Sequence, residues 1–144
     1  MFLGEIDDLA AALEHVKARP DVDPDQIYVA GHSTGGTVAL LISAMSDIPA
    51  GVVSFGGAPD IVSVMRSGGY DSEPFDRRKL DECRFRSPHT FAEAMDVPTL
   101  FIEGAENEGY TMDALRLADS VPDDKLTVCN IRGENHFSVL HPMY

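Results

Sequence analysis

The chain predicts an α/β protein: one domain built on a parallel sheet of about four strands with helices flanking it. Three observations carry this expectation. Short apolar runs alternate with stretches of helical periodicity, the pattern of parallel strands joined by right-handed helical crossovers. One run, Ile27-Tyr28-Val29-Ala30, leads directly into Gly31-His32-Ser33-Thr34-Gly35-Gly36 and then into a helical face of Val38, Leu41, Ile42 and Met45. Lastly, a serine, a group of carboxylates and a histidine each follow an apolar run. A parallel sheet would bring all of them to one edge, at the carboxyl ends of its strands.

Taken in order, Ile6, Leu9, Ala10, Leu13 and Val16 share one helical face, and the pattern stops at Arg19-Pro20. Residues 21–26 form a turn rich in aspartate and proline. The first strand follows at 27–31, then a helix over 34–45. Gly51-Val52-Val53-Ser54-Phe55 reads as a second buried strand, closed by Gly56-Gly57. Residues 57–86 read as irregular and polar, with Gly68-Gly69, Pro74 and the charged run Asp76-Arg77-Arg78-Lys79. That run is a solvated surface or, alternatively, belongs with the rest of 57–86 to a lid over the site. Ser87-Pro88 has the form of an N-cap and first helical residue, opening a short helix toward Met95. A third strand is expected over 97–104, a helix over 111–119 and a fourth strand over 125–131. No repeat or low-complexity tract interrupts the chain.

A length of 144 residues fits a single domain with a real core. The formal charge of −13 argues against nucleic acid and against an anionic membrane surface as partners. Two cysteines, Cys83 and Cys129, are too few for a disulfide framework. Cys129, inside an apolar run, reads as a buried thiol rather than a nucleophile. No apolar run is long enough to span a membrane, and the N-terminus lacks a basic segment followed by an apolar core. A reducing cytoplasm is the expected compartment. No His, Cys or Asp cluster has metal-ligand spacing, so no metal or cofactor is expected.

The chemistry centres on Ser33. A serine at a tight strand-to-helix turn is pushed out above the sheet edge, provided its neighbours at minus two and plus two lack bulk. Gly31 and Gly35 meet that need, and Gly36 lets the helix approach the sheet. The helix N-terminus behind Ser33 favours a developing oxyanion. A hydroxyl still needs a base. Of the five histidines, His136 alone lies in a loop directly after a strand, in Gly133-Glu134-Asn135-His136-Phe137. It is the expected base, sharing the sheet edge with Ser33.

The order serine, acid, histidine is that of the α/β-hydrolase fold, and the chain resembles the C-terminal part of that superfamily. The branch containing prolyl-oligopeptidase-like and related esterase domains is the most similar. The matching pieces are Asp23-Pro24-Asp25-Gln26-Ile27 with the Gly31–Gly36 elbow, Ser87-Pro88, Val97-Pro98-Thr99-Leu100-Phe101-Ile102-Glu103-Gly104, and Asn135-His136-Phe137. The resemblance implies Ser33 as nucleophile, His136 as general base, and the Thr34 backbone N–H as one arm of the oxyanion hole. It implies a serine hydrolase acting on an acyl ester or peptide bond of a small substrate. The alternative is a non-catalytic remnant of the fold serving as a binding or scaffold module.

Two departures from the family pattern matter. The family's acid commonly stands three residues after the strand-ending glycine, and here that residue is Asn107. Glu106 is therefore the first choice for the acid and Glu103 the second, with Glu108 also near. The family also carries strands before the elbow strand, one loop of which supplies the second oxyanion donor, and a closing helix after the histidine. The chain is accordingly expected to be a truncated hydrolase domain whose elbow strand, without charge, proline or bulge, becomes a sheet edge. Self-association, as a homodimer in the simplest case, follows from that expectation.

Overall fold

Four strands pair in parallel, in the order in which the chain makes them: β1 (Tyr28–His32), β2 (Gly51–Phe55), β3 (Thr99–Gly104) and β4 (Leu126–Ile131). This computed structural model describes residues 3–68, 75, 76 and 78–141. Among the described residues five α-helices accompany the strands: α1 (Leu3–Lys17), α2 (Thr34–Ile42), α3 (Ile61–Arg66), α4 (Leu80–Arg84) and α5 (Glu108–Ala118). The α/β class with a four-strand parallel sheet is thus the one the sequence predicts.

Strand alternation sorts the side chains into two faces. Register aligns Val29, Val52, Thr99 and Leu126 in one row across the sheet, and all four are buried. Ser54 and Phe101 continue that face and are fully buried. Helices α2 and α5 cover it, α2 lying over β1 and β2 and α5 over β3 and β4. Helix α2 serves two apolar clusters. Ala39, Leu41 and Ile42 pack with Ile6 and Leu13 of α1 and with Ile61 and Val64 of α3. Leu40 packs with Met95, Phe101, Ala114 and Leu117. Each large apolar side chain buried this way contributes roughly 1.5–3 kcal/mol. The opposite sheet face is less covered: Tyr28 and Ala30 are exposed, and Val53, Phe55, Leu100 and Ile102 are half-buried.

Some elements differ from expectation. Helix α2 ends at Ile42 rather than Met45, because the Ser43 hydroxyl donates to the Leu40 carbonyl and Ala44 N–H turns back to Leu41 O. The segment 57–86 is not wholly irregular. Asp60 caps α3, its carboxylate accepting from Val62 N–H at 2.8 Å, and Ile61 and Val64 are buried one turn apart. Ser87 does not cap the helix it precedes. Its buried hydroxyl accepts from Ile61 N–H and donates to Cys83 O, joining α3 to α4, and Pro88–Ala94 winds as 3₁₀ turns. Cys129 is half-buried rather than fully buried. Of the segment read as a lid, residues 69–74 and 77 lie outside the described residues, Gly69, Pro74 and Arg77 among them. No described helix is long and apolar enough to cross a membrane.

Candidate active site

Ser33 leaves β1 in a backbone conformation that L residues rarely adopt, with φ 55° and ψ −117°. Such geometry costs about 1–3 kcal/mol and persists only where the surroundings enforce it. The enforcement is visible on both sides. Ser33 N–H donates to Phe55 O at 2.8 Å, extending the β1–β2 ladder by one step, and Ser33 O accepts from Thr37 N–H at 3.0 Å, opening α2. The turn is so tight that a Cβ on Gly31 would overlap the Gly35 carbonyl. Gly35 itself has open space where a side chain would stand, so the constraint at plus two falls on its backbone rather than on its missing Cβ. Gly36 meets the backbone of Gly57, 2.8 Å from where its own Cβ would lie. Thr34 occupies the first turn of α2, where backbone N–H groups have no intrahelical acceptor. Its N–H is thus available to an anion beside Ser33.

Sheet register decides which acid meets the histidine. His32, Phe55 and Ile102 occupy one row. Ser33, Gly56 and Glu103 each follow one residue later, at the same edge of the sheet. Glu103 still lies within β3 and faces the buried side, with no exposed surface. Its Oε1 accepts from Gly104 N–H at 2.7 Å, and its Oε2 accepts from Asn107 Nδ2 at 3.1 Å. The same Oε2 stands 3.0 Å from His136 Nδ1. A buried carboxylate accepting hydrogen bonds at both oxygens is satisfied as an anion.

The carboxylate that meets His136 is not the first choice from the sequence, Glu106, but the second, Glu103. Glu106 lies beyond the end of β3 and its side chain is exposed. Among the described residues it has no hydrogen bond to His136, and only its backbone N–H reaches the base loop, at Glu134 O. Asn107 does not face the imidazole either; it donates to the carboxylate that does. Glu108 is exposed, in the first turn of α5.

His136 is held by a loop that satisfies its own backbone. Asn135 Oδ1 accepts from Phe137 and Ser138 N–H, and Ser138 Oγ accepts from Asn135 N–H. The imidazole is about one-fifth exposed, with Tyr110 edge-on to it. Gly56 is the residue that lets it in. A Cβ there would stand 2.5 Å from Glu103 Oε2 and 2.6 Å from His136 Nδ1, and its φ of 59° suits glycine. With Nδ1 directed at Glu103, the other ring nitrogen, Nε2, makes no hydrogen bond among the described residues. Among the described residues, no hydrogen bond is made by the Ser33 hydroxyl, to His136 or to anything else. Unliganded sites are commonly loose in this way. Sequence reasoning missed Gly56 and the roles of Asn107 and His32. The one available signal was Gly56-Gly57 directly after a strand. Among the described residues, no group of His, Cys, Asp or Glu is placed to hold a metal ion.

Comparison with known proteins gives this geometry a family. Residues 3–139 match the prolyl oligopeptidase family, Peptidase S9. No curated protein matches the sequence. Among solved structures, the acylaminoacyl peptidase of Pyrococcus horikoshii is similar over 93% of this chain and 24% of its own, with 21% identity and a TM-score of 0.74. Est1E from Butyrivibrio proteoclasticus is similar over 94% of this chain and 62% of its own, with 19% identity and a TM-score of 0.74. A puromycin-hydrolyzing peptidase of Mycobacterium tuberculosis is similar over 91% of this chain and 22% of its own, with 23% identity and a TM-score of 0.72. The chain therefore spans about a quarter of the length of the acylaminoacyl peptidase, 24%. At these identities the structural likeness speaks for the fold, and the family match extends nearly end to end: the chain belongs to the prolyl oligopeptidase family and has part of the α/β-hydrolase fold.

Proposed function

We propose that this chain carries a serine hydrolase site for acyl ester or peptide bonds, with Ser33 as nucleophile, His136 as general base and Glu103 as the acid. Ser33 Oγ attacks the acyl carbonyl while His136 Nε2 takes its proton. Glu103 holds the Nδ1–H tautomer and stabilises the imidazolium that forms. The Thr34 N–H faces the developing oxyanion. Collapse of the tetrahedral intermediate passes the proton from His136 to the leaving alcohol or amine, and water then repeats the sequence on the acyl-enzyme. The observation that carries this reading is the 3.0 Å contact between His136 Nδ1 and the fully buried Glu103 carboxylate. Burying a carboxylate beside a histidine is costly without a purpose for the pair. Support for an acyl substrate comes from the similar structures, two of which are named as peptidases on acylaminoacyl or puromycin substrates.

Treatment with a fluorophosphonate tests it directly. Mass spectrometry should place one adduct on Ser33, and Ser33→Ala should abolish it, with turnover of p-nitrophenyl acetate falling about a millionfold, as for other serine nucleophiles. An unlabelled but folded protein would favour the second reading, a non-catalytic binding or scaffold module, for which the unbonded Ser33 hydroxyl speaks. Cys83 and Cys129 stand as thiols rather than as a disulfide, in keeping with a reducing cytoplasm.

Self-association belongs to the same proposal. Among the described strands, β1 pairs only with β2 and offers Tyr28, Val29 and Ala30 at an edge without charge or proline. A second copy adding its own β1 there would pair the open backbone groups. Light scattering over a dilution series should show a dimer dissociating, and a folded monomer at every concentration would overturn the pairing.

A further inference from the structure

His32 is the last residue of β1 and the immediate neighbour of Ser33. Its ring does not point away from the chemistry. Nε2 lies 2.8 Å from the backbone carbonyl oxygen of His136, 104 residues further along the chain. A carbonyl oxygen only accepts, so His32 Nε2 carries the proton and donates. When the ring is neutral this fixes its tautomer, with Nδ1 bare. The two imidazoles stack at 4.7 Å between centroids with planes tilted by 36°. Phe137 covers both, at 5.8 Å from His32 and 5.2 Å from His136.

Among the described residues this is the sole hydrogen bond between the elbow, 31–36, and the loop that carries the base, 132–141. Without it, the loop would be held to the sheet on the β3 side alone, by the His136 ring at Glu103 and by Glu106 N–H at Glu134 O. Ties on the β3 side alone leave the His136 main chain unheld toward β1, so Nε2 would shift toward or away from Ser33. A tie on the backbone of the same residue, from a different strand, removes that freedom. One anchor comes from β3 and the other from β1, whose next residue is the nucleophile.

We infer that His32 is a positioning residue: its Nε2–H grips the His136 carbonyl and so fixes the distance between base and nucleophile. This rests on the hydrolase reading above, and the two can fail separately. The test compares His32→Ala with His32→Gln, because a glutamine amide nitrogen can take the place of His Nε2 and donate to the same oxygen. The readouts are the rate of fluorophosphonate labelling at Ser33, kcat and KM for p-nitrophenyl acetate, and imidazole ¹⁵N NMR of the 144-residue chain.

In His32→Ala, labelling and kcat should fall by about a hundredfold, the loss that follows a displacement of about 1 Å between reacting groups. KM and the melting temperature should stay as in the parent, and His32→Gln should restore most of the rate. The His136 ring signals should shift in His32→Ala and return in His32→Gln. Full-speed labelling in His32→Ala overturns the inference, and so does a His32→Gln variant as slow as the alanine. If the parent chain is not labelled at all, the hydrolase reading fails while the NMR arm still decides this one. Unmoved His136 signals in His32→Ala would then reject the grip, and shifted signals restored by glutamine would uphold it in an unreactive site.

Discussion

From Gly31 to Gly36 the shape of the turn at Ser33 is set by residues next to one another in the chain, whereas the carboxylate facing His136 comes from 33 residues away. The Ser33 side is a backbone device: Gly31 gives room to the Gly35 carbonyl, and Ser33 is held at φ 55° by hydrogen bonds on either side. The His136 side is a side-chain device assembled by strand register, in which Glu103, Asn107, Gly56 and His136 come from three separate segments. A local device leaves its signature in a short window. A register device does not, because a shift of one residue exchanges the two faces of a strand.

The sharpest way to break this comparison is at the acid. Glu103→Gln keeps the shape and removes the charge, and it should lower kcat by about ten-thousandfold, as loss of the carboxylate does in other triads. The introduced amide could also turn its NH₂ toward Nδ1 and select the wrong tautomer. Ser33 should still accept a fluorophosphonate, only slowly. If turnover stays within tenfold of the parent, Glu103 is not the acid and the register argument falls with it.

That prediction also marks where the sequence stopped being readable. Four strands, the tight turn at Ser33 and the place of His136 at the sheet edge were legible because each rests on a run of adjacent residues: an apolar stretch, a glycine pattern, a loop directly after a strand. The carboxylate that meets His136 was not. Glu103, Glu106, Asn107 and Glu108 crowd the end of β3, and only pairing of Glu103 with Asn130 and Gly104 with Ile131 shows that the strand runs on past Glu103 and buries it. Helices α3 and α4 were hidden for another reason. At 6 and 5 residues they are too short to display a helical period. Ser87, which looks like a cap, instead spends its hydroxyl joining them.

Two glycine substitutions sharpen the contrast between the devices. Gly31→Ala forces a methyl group into the Gly35 carbonyl, backbone against backbone. It should cost about 1–3 kcal/mol or more of stability, seen as a lower melting temperature. Gly56→Ala puts the methyl group between Glu103 Oε2 and His136 Nδ1, 2.5 and 2.6 Å away. Those are side-chain atoms able to move, so much of the damage should appear as a fall in kcat of about a hundredfold from misplacement of the base. If Gly31→Ala were the slower folded enzyme and Gly56→Ala only the less stable one, the two sides of the site would have exchanged roles.

Asn107→Ala should do less. It removes one donor, at 3.1 Å, from a carboxylate that keeps Gly104 N–H and His136. A hydrogen bond to a charged group contributes about 1.5–3 kcal/mol, and part of that loss should reappear as a roughly tenfold drop in kcat. Asn107→Asp is the informative partner, since it sets a second carboxylate beside Glu103 and tends to protonate one of the pair. A variant faster than the parent would mean that the new aspartate had taken over the imidazole.

Glu106→Gln should do least, and its smallness matters most for the choice between neighbours. The side chain is exposed, and its segment touches the base loop only through the backbone, where Glu106 N–H donates to Glu134 O at 3.3 Å. Glutamine preserves that backbone contact and nearly the same volume, so stability should change by no more than about 0.5 kcal/mol. Turnover should stay within about twofold, since the lost charge is screened by water before it reaches the imidazole. Measured beside Glu103→Gln under one set of conditions, the pair differs by three residues in sequence and by several orders of magnitude in expected effect. A large loss in Glu106→Gln would require the β3–α5 turn to refold when substrate binds, carrying Glu106 inward and displacing Glu103 from Nδ1.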